Sequence, residues 1–566
     1  MAGLTHQALR AAVATICLGA TAGAAQGPGR AIDVTAYGAN GDGVTDDTLA
    51  FRAAIAAAQG GSAARNQGAL IEIPCGKYIL TARLTIHLAA NTAIGLHGQT
   101  QSCTELQWNV ADGGLDFEYP QQQVASASRN PSGASPSGPG AAVDIERLSL
   151  VNNAPGNVYT GMALLLRQPV PTHALASGGP DQTIRDVAWH SLTPGQGGSS
   201  AQGQAWNVGI DIVNVPYVHI SHVTGSQYGS RSPFASNTSA GIRIESTGGP
   251  RSTFTQQIWL SRVFQQGAYD GLDLIGHNIQ GVYADRLMEL QNAYSVRWQA
   301  PSEDASASFF LSDSSLDGLY AGVSTNFVKQ VFLTDNEILN GGPGPTGALA
   351  ANYFGIRLRT TDDAMVSGNV LIPLCRACTL SQIAPGYTGT GIEVLHHAAA
   401  DTQGSVIAGN SIDYGDVGIS AGGSQVLVSG NIIAAGVPTP IRDDGIGATH
   451  PVFADNEVGQ RLLPAPPTPI PTSAPLAEGG TNEAPATADG GAILNCAGRL
   501  STFTWRLPPH PTQGQRVHLA SECTVSRFTL QPRGQGIAVI GAPGTISPAT
   551  PLTFIYDATN RIWTRW

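Results

Sequence analysis

The chain has 566 residues, of which 12% are charged, and a formal net charge of -11 at pH 7. That length exceeds what one compact core organises and asks for an elongated domain plus a smaller module. The acidic balance excludes the dense basic surface that nucleic acid demands, and no stretch beyond the N-terminus is apolar for long enough to span a bilayer as a helix. Positive charge is almost wholly arginine, with Lys77 and Lys329 the only lysines, and arginine is the better fork for carboxylates.

In chain order, Arg10, an apolar run from Ala11 to Ala22 and the small residues Ala22-Gly23-Ala24-Ala25 read as a signal peptide over 1–25, predicting a secreted or periplasmic protein. Cys17 follows Ile16 where a lipoprotein signal wants a small residue, so no lipid anchor is expected. The six remaining cysteines favour disulfides in an exported chain, and their grouping suggests 75–103, 375–378 and 496–523. Cys375 and Cys378 lack the second Cys/His pair that zinc requires.

The segment Ile32-Asp33-Val34-Thr35-Ala36-Tyr37-Gly38-Ala39-Asn40-Gly41-Asp42-Gly43 reads as a short strand and a glycine turn. Asp46, Asp47 and Thr48 then suit the positive end of a helix. Ala50, Phe51, Ala54, Ile55 and Ala58 recur at helical spacing, and Gly60-Gly61 is expected to stop the helix. Such a helix can cover the open end of a stacked sheet. The acids Asp42, Asp46 and Asp47 are read as structural.

Through Ile71-Glu72-Ile73-Pro74-Cys75-Gly76-Lys77-Tyr78, this opening resembles the start of the pectate-lyase-like superfamily, which includes polygalacturonases, rhamnogalacturonases and tailspikes. The resemblance covers about the first hundred mature residues. It implies an all-β protein: a right-handed parallel β-helix over 30–460 with an N-terminal capping helix. It does not imply a reaction, because relatives share the cap and differ in chemistry.

The middle of the chain repeats two strand signatures. One is apolar-x-apolar-x-Gly/Asp-Asn, as in Leu333-Thr334-Asp335-Asn336, Val366-Ser367-Gly368-Asn369, Ile407-Ala408-Gly409-Asn410, Val428-Ser429-Gly430-Asn431 and Phe453-Ala454-Asp455-Asn456. Asparagine tolerates left-handed geometry at such a turn, and stacked amides can bond along the axis. The other signature is Gly-apolar-x-apolar, as in Gly209-Ile210-Asp211-Ile212 and Gly271-Leu272-Asp273-Leu274. Period-two alternation turns its third residue outward. One outward column then reads Asp211, Arg243, Asp273, Arg297, Tyr320, Arg357, Glu393, Ser420, with neighbours about 4.8 Å apart. It is either an ionic ladder that avoids repulsion or a groove for a polysaccharide, with Arg243, Arg297, Tyr320, Arg357 and Glu393 as binding residues and Trp298 close by.

The densest chemistry lies in Tyr269-Asp270-Gly271-Leu272-Asp273-Leu274-Ile275-Gly276-His277. Glycoside hydrolysis needs two carboxyls, about 5 Å apart for retention or about 6.5–9.5 Å for inversion. Asp273 with Asp270 or Asp211 is the acid pair, and His277 stands beside it. Polygalacturonases carry Asn-Thr-Asp, paired Asp, Gly-His-Gly and Arg-Ile-Lys motifs on their active face. Only Gly276-His277 survives here, so no catalytic residue is carried over. A uronate lyase would use Arg243, Arg297 and Arg357 to neutralise the substrate, with Tyr320 or His277 as base. A third reading binds an exopolysaccharide without cutting it. No cofactor is expected, although calcium could bind near Asp362-Asp363, which is far short of a calcium loop. His219 and His222 are expected on opposite faces of a strand, as are His396 and His397.

Pro120 to Gly140 reads as a loop, and 463–489 as a proline-rich linker. Residues 490–566 alternate as a small C-terminal β module that offers a route to a homotrimer or a glycan site. Trp563 and Trp566 are assigned to its core or interface.

Overall fold

A computed structural model of the chain describes residues 31–63, 68–89, 92–120, 141–154, 159–169, 181–191, 205–227, 238–248, 255–300, 306–341, 352–373, 387–395, 404–423, 425–445 and 450–459, then 481–483, 489–494, 499–511, 515–521, 524–533, 536–547, 552–558 and 561–565. The segment read as a signal peptide, residues 121–140 of the segment read as a loop, the cysteines 375, 378, 496 and 523, His396, His397 and Trp566 lie outside them. Two compact units result, Met1–Ile432 with Val437–Glu457, and Ile433–Gly436 with Val458–Trp566.

The first unit is a right-handed parallel β-helix whose strands, among the described residues, join one continuous parallel sheet wound through successive coils. Three faces can be followed. The first carries Ala69–Ile73, Ala93–Gly98 and the opening halves of longer strands such as Ala142–Asn152 and Thr255–Gln266. The second carries Ala205–Val213, Ala240–Ser246 and Asp270–Gly276. The third carries Gly76–Leu80, Thr104–Trp108 and the far ends of strands that bend over from the first.

Inward residues stack aliphatic on aliphatic. On the first face Ile145, Ile184, Ile220, Leu260, Ala284, Leu311, Leu333, Val366, Ile407 and Val428 lie in one register, all at most 4% exposed. Each large aliphatic buried this way contributes roughly 1.5–3 kcal/mol, so the inner columns carry the stability of the coil stack.

The corner between the first and third faces turns on one left-handed residue per coil. Arg147, Asp186, His222, Arg262, Arg286, Asp313, Asp335, Gly368, Gly409, Gly430 and Asp455 have φ between 51 and 69°. The predicted asparagines follow that residue instead of occupying it, which corrects the expectation that asparagine itself turns left-handed. Freed from the bend, Asn336, Asn369, Asn410 and Asn431 are buried. Each donates Nδ2 to the next Oδ1 at 2.9 Å, ending on Asn456. Each spare Nδ2 proton reaches a backbone carbonyl, as in Asn410 to Val366 at 2.9 Å. The strain of the bend, on the order of 1 kcal/mol for a non-glycine residue, is thus set against a satisfied amide chain.

The helix Thr48–Ala63 packs on Ala31–Asp33, Ala69–Ile73 and Leu84–His87 through the expected Phe51, Ala54, Ile55 and Ala58, closing this end of the core. It runs through Gly60-Gly61, because two glycines weaken a helix without forcing its end. Asp46 accepts from the Thr48 backbone N–H at 3.0 Å, and Asp47 from those of Asn40 at 2.7 Å and Gly41 at 3.2 Å. All the bonds of this acidic cluster are structural. Cys75 and Cys103 form a disulfide. Among the described residues no helix is long and apolar enough to cross a membrane.

In the second unit, Thr481–Glu483, Arg499–Arg506 and Thr524–Gln531 form a parallel three-stranded sheet, and a five-stranded sheet includes the antiparallel pair Leu552–Asp557 and Ile562–Arg565. Thr481–Glu483 falls inside the segment read as a linker: a short polar run paired on Thr504–Arg506 needs no hydrophobic signature of its own. Phe503, Trp505, Val517, Phe554 and Trp563 fill the core.

Candidate functional site on the second face

The second face brings together most of the predicted column, with one slip of register. Asp211 pairs with Arg243, Arg243 with Asp273, and Asp273 with Arg297. Arg297 then pairs with Ser324, Ser324 with Arg357, Arg357 with Glu393, and Glu393 with Ser420. Tyr320 is not in the column. The strand Ser315–Asn326 contains two Gly-apolar signatures, and Gly322-Val323-Ser324-Thr325 is the one that stacks, after irregular pairing around Asn292. The column therefore alternates acid and arginine from Asp211 to Arg297 and resumes at Arg357, with neutral Ser324 where an acid would fall.

The column was expected to stand open to solvent, yet its carboxylates are buried: Asp211 and Asp273 are at most 1% exposed and Glu393 is 5%, and Asp270, beside the column, is wholly buried. The guanidiniums lie above them, with side-chain exposures of 13% for Arg243, 23% for Arg297 and 25% for Arg357. Asp273 is held between two of them, with Arg243 Nε at 3.2 Å and Arg297 Nη2 at 3.5 Å. Arg297 Nη2 also lies 2.6 Å from Asp270. That contact is one of charge, since neither Asp270 oxygen has a well-aligned hydrogen bond, nor has Arg297 Nε. Glu393 accepts from Arg357 Nε at 2.8 Å and Arg359 Nε at 3.2 Å.

These contacts set the protonation states. Burial, reinforced by Asp273, pushes Asp270 well above the carboxylate range against the pull of Arg297 and Arg243. Burial raises Asp211 to about 7 despite Arg243. Burial also works against the Arg297 charge, but Asp270 and Asp273 more than restore it. With Asp211 raised to about 7 and Asp270 displaced in the same direction, these acids hold their protons more readily than ordinary carboxyls and counter the arginines less fully. Because one nitrogen of Arg297 reaches both acids, Asp270 Oδ2 and Asp273 Oδ1 lie no farther apart than the two contacts laid end to end, about 6 Å.

Tyrosines line the same place. The rings of Tyr294 and Tyr320 are 5.5 Å apart, those of Tyr269 and Tyr294 5.8 Å, and those of Tyr269 and Tyr320 6.4 Å. Arg297 stands over Tyr269 and Tyr294 at 5.5 and 5.6 Å, and Arg357 over Phe354 at 4.2 Å. Tyr320 thus joins the site by its ring although not by its register. Burial raises Tyr269 and Tyr294 above the usual phenol range, so the deprotonated form that could act as a base is scarcer. Trp298, expected near the groove, points inward and packs edge-on against Phe309 at 5.7 Å. His277 follows Gly276 (φ 104°) into the turn beyond the strand, off the column. Glu289 is wholly buried, raised well above the usual range by that burial, and accepts from Asn292 at 3.1 Å.

Two features escaped the sequence reading. Tyr294 carries no motif, and its role rests on the pairing Asp270–Tyr294. On the first face, His219, Trp259, Tyr283, Phe310 and Phe332 stack in register, with centroids 4.2 to 5.9 Å apart and planes within 14°. Their signal was the unbroken apolar triplets Ile258-Trp259-Leu260, Val282-Tyr283-Ala284, Phe309-Phe310-Leu311 and Val331-Phe332-Leu333. His222, at the left-handed corner, is exposed and His219 is half-buried against Trp259 on the outer side, so neither turns into the core and the two do not take opposite faces. Among the described residues, His97, Asp144 and Glu146 form a group of metal-ligating types, but Arg185 and Arg147 already pair with Glu146. Asp362 lies 3.9 Å from Lys329.

Residues 31–110 match the family model described as rhamnogalacturonase A/epimerase, pectate lyase-like. The N-terminal region is therefore of the pectate-lyase-like kind, and the coils after it continue that fold. Among solved structures, pre-mature gene product 12 of bacteriophage phi29 is similar at 12% identity and TM-score 0.43, covering 90% of this chain and 67% of that one. The A-module of the Azotobacter vinelandii mannuronan C-5 epimerase AlgE6 is similar at 14% identity and TM-score 0.37, covering 76% and 100%. A Yersinia enterocolitica family 28 exopolygalacturonase is similar at 10% identity and TM-score 0.39, covering 76% and 79%. No curated protein matches the chain.

Proposed function

We propose that the chain is an exported protein that holds an acidic polysaccharide along the second face, with a ligand carboxylate seated between Arg297 and Arg357. The observation that carries this reading is the break in the alternating column. Ser324 stands between two arginines where every neighbouring gap holds an acid. Strand spacing puts Arg243, Arg297 and Arg357, on every second coil, about 9.6 Å apart, so a polymer with regular acid groups could meet them in turn. The buried acids fix the guanidiniums before the ligand arrives, and a fixed guanidinium fork binds carboxylate at lower entropic cost. Tyr269, Tyr294 and Tyr320 supply apolar surface for the sugar rings. The Cys75–Cys103 disulfide accords with an oxidising compartment.

The test compares retention of the mature protein on a uronate polymer and on the same polymer after carboxyl reduction. Retention is expected on the first and a loss of at least tenfold on the second. Ser324→Asp fills the gap with the protein's own carboxylate and should abolish retention while leaving the fold intact. Equal retention on both polymers, or an indifferent Ser324→Asp variant, would sink the reading.

A specific observation favours hydrolysis as a second reading. Asp270, whose carboxyl is raised by burial, and Asp273, clasped by two arginines, have oxygens no more than about 6 Å apart, short of the separation that inversion needs and compatible with retention. Both are buried, so Arg297 would have to swing aside for a glycosidic bond to reach them. New reducing ends, lost in Asp270→Asn and in Asp273→Asn, would support it. Unsaturated-uronate absorbance would point instead to a lyase, and intact polymer to binding alone.

A further inference from the structure

We propose that the aromatic stripe of the first face is a contact between two antiparallel copies of this chain. The stripe begins at His219 and runs through Trp259, Tyr283, Phe310, Phe332, Met365, Val406 and Leu427 to Val452, in one register over nine coils. It faces solvent: Tyr283 is 37% exposed, Leu427 38% and Val452 58%. Beside it runs a column of small neutral residues, Ser221, Ser261, Ser312, Thr334, Ser367, Ala408, Ser429 and Ala454. The one acid in that column, Asp285, is paired with Arg286 at 2.7 Å.

A sugar is a poor occupant. The rings stack face to face, so the faces a sugar would cover are already used and only edges point outward. A self-contact, by contrast, must set a surface against its own chemistry, and a charge-free stripe on a chain of net charge -11 meets that condition. The eight coils from Trp259 to Val452 extend about 34 Å at the sheet spacing. With a width of about 15 Å, the face approaches the roughly 600 Å² per partner at which specific contacts begin.

The direction follows from size and charge. Antiparallel copies centred between Phe332 and Met365 set Trp259 against Val452, Tyr283 against Leu427, Phe310 against Val406 and Phe332 against Met365, a ring opposite an aliphatic each time. At the left-handed corner beside the stripe, the same pairing sets Arg262 against Asp455, and Asp313 and Asp335 against Gly409 and Gly368. No like charges meet.

Sedimentation equilibrium of the whole chain should show a dimer. Tyr283→Arg alone and Leu427→Glu alone, both at exposed positions, should each weaken association at least tenfold with unchanged circular dichroism. An equimolar mixture of the two variants should regain dimer, because Arg then faces Glu in one contact and the native pair survives in the other. A wild-type protein that stays monomeric overturns the proposal, as does a dimer indifferent to both variants. A mixture that fails to recover overturns the antiparallel register. If the wild type is monomeric and Tyr283→Arg loses polysaccharide retention, the stripe is a sugar surface and the proposal falls.

Discussion

The first and second faces stack the same coils at the same spacing, yet their outward columns differ in kind. On the second face, acids and arginines alternate, and the acids sink beneath the guanidiniums they orient. On the first, rings and aliphatics lie on one another without formal charge. The inward residues are alike on both, so the coil is indifferent to what it displays. What differs is the partner each column still lacks: an anion at Ser324 on one face, apolar surface along the stripe on the other.

The contrast breaks most sharply at Asp273. Asp273→Ala leaves Arg243 and Arg297 without their shared acid and should cost about 3–5 kcal/mol, read as a lowered urea midpoint, whereas Tyr283→Arg on the first face should cost only about 1 kcal/mol, for its stacking on Trp259 and Phe310. Next comes the corner between the first and third faces. Asn410→Ala orphans the Asn369 donors and the Val366 carbonyl, and should cost about 2–3 kcal/mol by the same measurement.

The third test uses pH. The folded value of Asp211, about 7, lies above the ordinary 3.8, so the folded state favours the proton. Its stabilising contribution is complete below about pH 4 and is lost as pH rises through 7. Asp270 and Glu289, both raised, act in the same sense. Thermal midpoints should therefore fall between pH 4 and 8, less steeply in Asp211→Asn. Retention of the uronate polymer should weaken over the same range, because ionised Asp211 offsets Arg243. A smaller effect is expected from Phe310→Ala, about 1 kcal/mol of stacking with Tyr283 and Phe332 beyond lost area. The smallest is Arg357→Lys, a few-fold loss of retention at unchanged stability, because a lysine cannot reproduce the fork.

Much of this fold was legible because a β-helix writes its rules locally. The apolar alternation, the Gly/Asp-Asn corner and the capped helix at Thr48 each lie within a few residues of sequence. Register was harder: Gly318-Leu319-Tyr320 and Gly322-Val323-Ser324 obey the same pattern, and only pairing with Arg297 and Arg357 selects the second. Burial was not legible at all, since the cover over Asp273 includes arginines 30 residues before it and 24 after. The stripe hid for the opposite reason, as Trp259 and Phe310 between aliphatics read as core.

The asparagine corner has a consequence for how such a chain can vary. Its amides bond in sequence although the residues that bear them are separated by 33, 41, 21 and 25 positions. Coils that differ nearly twofold in length thus return to the same point, and the surplus is spent at the other corners. An insertion there need not disturb the neighbouring coils, so segments beside the Arg297–Arg357 notch could be lengthened, exchanged or grafted to suit a new polymer while the spine stays in step.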